Sequence, residues 1–203
     1  MSNLTTLAEY KDAEGINGPK EDLRINSLLP SVSQLVKTYC GNSFIDFYSS
    51  NKVEDFDIHW NTYAVQLTES PIVDIVSVQE RGGYDQAYST LTTTDHEYYL
   101  DTRTDSVIRT NKSGSRLNWS QGVGAVKVTY KAGYAALPED LKLAVFDLIT
   151  YYLKDEHKER RTIAGATIQN QSSTSQRNNV AFPDHIKRAV SYKHLTLPTT
   201  PYV

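Results

Sequence analysis

The sequence predicts an α+β chain, mainly a helical bundle with an inserted antiparallel β meander or small sheet. Three observations predict it. Apolar residues recur at helical spacing over residues 19–40 and again from Pro138 onward. Between them, over roughly 55–130, short alternating stretches rich in β-branched residues are separated by turn signals. Nowhere does a strand alternate with a long helix, so a parallel sheet is not expected.

In chain order, Thr5 or Thr6 can cap a short helix over 5–14, with Gly15 and Gly18 ending it. Pro19 can open a second helix over 19–40, and Glu21 and Asp22 in its first turn suit the positive end of the helix dipole. Its stripe is Ile25, Leu28, Leu29, Val32, Leu35, Val36 and Tyr39. Pro30 lacks an N–H and crowds the preceding turn, which predicts a kink or break near Leu29. Gly41 suits a C′ position. In the middle region VQLTESPIVDIVSVQER, EYYLDT, SVIRT and GAVKVTY read as strands. Ser70-Pro71, Gly82-Gly83, Lys112-Ser113-Gly114 and Gly122 to Gly124 read as turns. A third helix is expected over 138–160. One face carries Leu141, Ala144, Val145, Leu148, Ile149 and Tyr152, and a second carries Leu143, Phe146, Tyr151 and Leu153. A helix apolar on two faces needs packing partners on two sides, and in so short a chain the second can be another subunit. The four residues of the second face are the candidate subunit-interface residues.

Residues 162–179 are rich in Ser, Thr, Gln and Asn and have little periodicity, which predicts a flexible arm that orders on contact. Pro183 then opens a short helix over 183–189. The stretch 190–203 is expected to be a non-native tail. Its first ten residues, Val190–Thr199, resemble the translation of a transposase-type sequencing adapter, from which only Lys193 departs. The expectation is one domain, residues 1–189.

Composition excludes several classes. The net charge is −3, with 21 basic and 24 acidic side chains. A protein that grips DNA by its phosphates needs a basic excess. The single cysteine, Cys40, permits no internal disulfide and no cysteine-based zinc site. No stretch is long and apolar enough to span a bilayer, and the first fifteen residues lack the pattern of a signal peptide, so synthesis in the cytosol is expected.

The search for chemistry is negative. There is no HExxH, no phosphate-binding GxxxxGK[ST], no GxGxxG after a strand and no GxSxG. Asp95-His96-Glu97 lies at a predicted strand edge, where only Asp95 and Glu97 would share a side. Asp155-Glu156-His157 sits among Lys154, Lys158, Arg160 and Arg161, as expected for a solvated helix end. Cys40 reads as a small apolar side chain at a helix end. No catalytic residue, cofactor or metal is expected. Fourteen tyrosines, interspersed with acids, read as core and subunit contacts.

The order of motifs resembles one family, the head-to-tail connector or head-completion adaptor proteins of tailed bacteriophages. The resemblance covers about Leu23 to Ala189. LLPSVSQLVKTYCGNSF is similar to the family's first long helix with its embedded proline. LTESPIVDIVSVQERG is similar to its paired apolar strands around a proline. EYYLDTRTDSVIRT, Trp119 and VKVTYKAGYAALPEDLKLAVFDLITYYLKDE follow its sheet-to-helix passage, and FPDHIKRAV resembles its closing helix. Asn42 departs from the arginine common there, and the chain end departs as well.

The resemblance implies a structural virion protein in a homo-oligomeric ring, typically of twelve copies, docked on the portal protein after DNA packaging. Such a ring extends the DNA channel, contacts passing genomic DNA without sequence specificity, and offers a platform to the stopper or tail. It implies no membrane contact. The arm and closing segment would then dock on the portal, with Gln169, Asn170, Gln171, Arg177 and Phe182 as candidates. Competing readings are another neck component, such as a stopper or tail terminator, or a small phage hydrolase using Asp95, Glu97 or His157. A nucleic-acid regulator lacks a basic reading helix.

Overall fold

The computed structural model describes residues 2–154 and the backbone of 160–163 and 166–169. Two compact units emerge. One holds the described residues up to Cys40 together with those from Leu137 onward. The other is Gly41–Ala136.

The first unit is helical. Helix α1, Leu7–Glu14, begins at Thr6, whose hydroxyl accepts from the Glu9 amide while the Glu9 carboxylate accepts from the Thr6 amide. This reciprocal capping box satisfies two donors that the first turn would otherwise leave open. Gly15 closes the helix in the left-handed conformation at φ 67°. Helix α2, Asp22–Cys40, runs on through Pro30 and does not end near Leu29. The proline forgoes one backbone bond, but Ile25, Leu29, Val32 and Val36 are all buried, so the apolar stripe holds both halves of the helix in place.

Helix α3, Glu139–Leu153, follows Pro138 and ends seven residues short of the expected limit of 160, with the Lys154 amide still donating to the Thr150 carbonyl. Leu141, Ala144, Val145, Leu148 and Ile149 are buried. Tyr10 packs its ring edge-on to Phe146 at 5.8 Å and shares a hydrogen bond of 2.9 Å with the Thr150 hydroxyl. Lys142 pairs with Glu9 at 2.7 Å. These contacts seat α1 on α3. At the start of the stretch expected as an arm, and from two residues before it, Arg160–Ile163 and Ala166–Gln169 pair as an antiparallel hairpin. Thr162, Ile163, Thr167 and Ile168 are β-branched residues, and Gly165 lies between the two strands. The rest of 162–179, the short helix 183–189 and the tail 190–203 lie outside the described residues.

The second unit is built from seven strands: β1 (Lys52–Ile58), β2 (Ala64–Gln66), β3 (Ile72–Glu80), β4 (Ser89–Leu91), β5 (Tyr98–Asp101), β6 (Ser106–Arg109) and β7 (Gly122–Ala132). They form two antiparallel sheets, ordered β1-β7-β3-β4 and β2-β6-β5. The long strand β7 pairs with a strand on each side. Val78, Val126, Val128 and Tyr130 from the larger sheet and Val65 and Val107 from the smaller meet in one apolar core, with Trp119. The expectation of a mainly helical bundle is therefore corrected: three helices accompany antiparallel sheets, and strands are about as common as helices. Long periodic helices are conspicuous in a sequence, whereas strands of three or four residues carry little pattern each.

Charged and polar side chains tie the loops of this unit down. The buried Glu69 carboxylate accepts from the Ser43 amide at 2.8 Å, the Ser43 hydroxyl at 2.9 Å and the Lys52 ammonium at 3.2 Å. Asn42 donates to the Ser70 carbonyl at 2.8 Å and accepts from the Phe44 amide at 2.7 Å. Beyond β7, Gly133 donates to the Pro71 carbonyl and Tyr134 to the Phe44 carbonyl. Buried Glu80 of β3 accepts from Arg109 of β6 at 3.1 Å and from the Ser120 amide at 2.6 Å.

Candidate functional site

A protein that joins others in an assembly does so through its surfaces, and large exposed apolar side chains are where to look. In the β unit the three most exposed of them share one end of the larger sheet. Ile58 at the end of β1 pairs with Gly122 at the start of β7, and the Arg81 amide, just past β3, donates to the Ala125 carbonyl of β7. Three segments thus share this end: the turn after β1, the start of β7 and the β3–β4 loop. They present Trp60 at 84% exposure, Val123 at 65% and Tyr84 at 77%.

Arg81 organises this rim. Its guanidinium lies 4.9 Å from the Tyr84 ring and 4.8 Å from the Tyr88 ring. It donates to the carbonyls of Tyr84, Val123 and Gly124 at 2.9, 2.9 and 3.0 Å. Tyr88 donates to the Gly124 carbonyl at 2.6 Å, and the Gly124 amide donates to Asp57 at 2.7 Å. Gly124, at φ 56°, cannot carry a side chain here without meeting Arg81. Arg81 thus holds Tyr84 and Tyr88 against the start of β7, with Trp60 exposed at the same end of the sheet; Trp, Tyr and Arg are the composition that dominates binding hot spots. None of Trp60, Tyr84 and Val123 is among the residues the sequence singles out. The available signal was a tryptophan in a short turn, Ile58-His59-Trp60-Asn61, where burial is not expected.

In the helical unit, Leu23 of α2 and Leu143 of α3 are exposed, at 87% and 61%. Of the four predicted interface residues, Leu143 is the exposed one. Phe146 is buried and stacked on Tyr10. Tyr151 is half-buried with its ring edge-on to Tyr152 at 5.5 Å, and Leu153 is half-buried. Gln169 is the last residue of the second hairpin strand, while Asn170, Gln171, Arg177 and Phe182 lie outside the described residues.

Asp95, His96 and Glu97 do not form a strand edge. They sit in a turn in which His96 takes φ 53°. Lys112 lies 2.8 Å from Asp95 and holds its carboxyl below the usual range. Glu97 accepts from the Thr92 amide at 2.8 Å. Both carboxylates serve the turn. An open cleft of about 510 Å³ lies beside it, lined by His96, Tyr98, Tyr99, Ile108, Lys112 and Arg116 among others. Burial pushes the Cys40 thiol up to about 12, so it is not a ready nucleophile. Asp155, Glu156 and His157 lie outside the described residues. Among the described residues no group of His, Cys, Asp or Glu could hold a metal ion, and no helix is long and apolar enough to cross a membrane.

The fold is α+β, and each unit exposes large apolar side chains. The sequence matches the head completion protein family over residues 3–194, and the chain belongs to that family. Its role is structural, in the connection between head and tail. The fold is similar to a chain from the neck of an empty gene transfer agent (GTA) particle computed with C6 symmetry. That match has 15% identity, a TM-score of 0.54, and coverage of 95% of this chain and 93% of that one. It is also similar to a chain from the neck of a native GTA particle computed with C12 symmetry, at 15% identity and TM-score 0.53, covering 80% and 87%. No curated protein matches the sequence.

Proposed function

We propose that this chain is a head-to-tail adaptor of the virion neck. Copies form a ring, twelve in number, that docks on the portal after DNA packaging, extends the DNA channel and gives the stopper or tail its platform. The observation that supports this reading is that each unit exposes large apolar side chains, Leu23 and Leu143 on the helical unit and the Trp60, Tyr84 and Val123 rim on the β unit. A ring contact is heterologous and needs two different patches on each subunit, and a connector needs further surface for what lies above and below. The C12 symmetry of the similar neck chain supports twelve copies. The net charge of −3 suits a conduit through which DNA must slide. Helices together with a β unit favour an adaptor over a stopper or terminator built as a pure β-barrel.

In this reading the α3 face around Leu143, with Tyr151, Leu153 and the outer edge of Phe146, contacts the neighbouring subunit. Gln169, Asn170, Gln171, Arg177 and Phe182 dock on the portal, and the Trp60 rim receives the next component. The test is binding of the purified chain to DNA-filled heads that lack it. Deleting Gln169–Asn179 abolishes portal binding, and Leu143→Glu lowers ring occupancy without unfolding the monomer. Unchanged binding by the deletion variant refutes the portal assignment, and full twelve-fold occupancy by Leu143→Glu refutes the ring assignment.

A further inference from the structure

We propose that Asn17 is a self-modification site, at which the side-chain amide is lost spontaneously and replaced by an aspartate or isoaspartate. Asn17-Gly18 is the only Asn-Gly pair in the chain. It lies in the connector between α1 and α2, and both residues are exposed. It belongs to neither the helix that ends at Glu14 nor the one that begins at Asp22, and the tether from Lys11 reaches the Gly18 carbonyl, not its nitrogen. The Gly18 amide donates no hydrogen bond among the described residues, so its nitrogen is free to act. The Asn17 amide is held only by a long contact of 3.5 Å to the Gly15 carbonyl. A glycine at the following position offers its nitrogen no side-chain obstruction and the widest choice of backbone angles.

The steps balance without a co-reactant other than water. The Gly18 nitrogen attacks Cγ of Asn17, and a new N–Cγ bond forms as the Cγ–Nδ2 bond breaks. The proton from the Gly18 nitrogen leaves with the amide nitrogen as ammonia, and a five-membered succinimide remains. Water then adds to one of its two carbonyl carbons. Opening at Cα's carbonyl carbon gives isoaspartate, in which the main chain runs through the former side chain. Opening at Cγ gives aspartate. Nothing is oxidised or reduced.

The surroundings treat the two products differently. Lys11 donates to the Gly18 carbonyl at 3.0 Å and pairs with Asp22 at 2.7 Å, so a cation already stands at this connector. An aspartate at 17 adds a negative charge ahead of the positive end of α2, where it is tolerated. An isoaspartate lengthens the main chain by one methylene and moves the Gly18 carbonyl relative to Lys11. The chain thus changes after synthesis from one charge state to a mixture in which the α1–α2 connector has two lengths.

The experiment incubates the full folded chain in mildly alkaline buffer and follows the peptide bearing Asn17 by mass spectrometry over days. Expected is conversion to two isomeric acids at residue 17, while Asn42, Asn61 and Asn111 stay unmodified. Gly18→Ala is the sharp control, because a Cβ there meets nothing within 4 Å and the fold accommodates it. It slows conversion by roughly tenfold or more, each factor of about ten being about 1.4 kcal/mol of barrier. The proposal is overturned if Asn17 in the folded chain survives an incubation that fully converts a free peptide of residues 12–22. A Gly18→Ala rate equal to that of the parent overturns it as well.

Discussion

Gly133, in the sequence VTYKAGY, carries a sharp stability prediction. It sits at φ 103°, where an L side chain is strained, and a Cβ there would lie 2.1 Å from the Phe44 carbonyl oxygen. That carbonyl cannot simply retreat, since it accepts from the Tyr134 amide at 2.7 Å, and Phe44 is itself buried in a left-handed conformation at φ 63°. Gly133→Ala therefore combines two costs. The backbone strain is about 1–3 kcal/mol. Displacing the Phe44 segment weakens the Tyr134 bond and the Gly133 bond to Pro71 (2.8 Å), each about 1 kcal/mol net. The total is roughly 3–5 kcal/mol, a large share of a typical domain's stability. Gly114→Ala separates the two terms: Gly114 has φ 76° and an added methyl there meets nothing within 4 Å, so it reports strain alone at about 1–2 kcal/mol. Urea denaturation followed by circular dichroism measures both. A Gly133→Ala variant no less stable than Gly114→Ala, within about 0.5 kcal/mol, would refute the close approach as the reason for glycine at 133.

Four further outcomes are expected. Glu80→Ala leaves the Arg109 guanidinium with backbone carbonyls but no carboxylate at a largely buried site and destabilises by about 3 kcal/mol; Arg103→Ala, at a solvent-exposed pair, shifts the urea midpoint little. Thr6→Ala removes the α1 cap and costs about 1 kcal/mol in the same assay. The Glu9 carboxyl is held down from 4.5 to about 2, first by Lys142 and then by the Thr6 amide. The folded state therefore binds fewer protons at this group. Its stabilisation is complete above 4.5 and is lost as the pH falls toward 2, and stability measured across that window loses this component in Glu9→Gln. The pair keeps solvent contact, so the component is below about 1 kcal/mol. Trp60→Ala leaves stability within about 0.5 kcal/mol but reduces attachment of tail to head in a reconstitution assay.

What the sequence disclosed was what local chemistry dictates. Thr5 and Thr6 marked the start of α1, Gly15 its end, and the stripe from Ile25 to Val36 the buried side of α2; the part Glu9 plays in the cap came only with the structure. The β-branched runs marked β3 and β7. The balance between helix and strand was not legible, because strands such as Ala64–Gln66 and Ser89–Leu91 exist only through their partners. At Pro30 local propensity favoured a kink or break; the helix runs on unbroken, with the flanking stripe buried. Phe146 looked like a second outward face because α1, a separate segment of sequence, supplies the ring that covers it. The rim at Trp60, Tyr84 and Val123 was invisible because residues from three distant segments become neighbours only when β1, β3 and β7 pair.

The Glu80–Arg109 contact has a consequence for how faithfully the β unit assembles. Glu80 belongs to one sheet and Arg109 to the other. Apolar side chains such as Val78 and Val107 would accept several offsets between two sheets at little difference in energy. A fixed carboxylate that must meet one guanidinium accepts only one. A slip of a single residue along β3 or β6 would turn one of these charges to the opposite face and leave the other stranded in the interior. The pair thus acts as an alignment key, rejecting near-miss foldings that hydrophobicity alone would let through. In the proposed ring that uniformity matters, because every copy must present the same edge to the next.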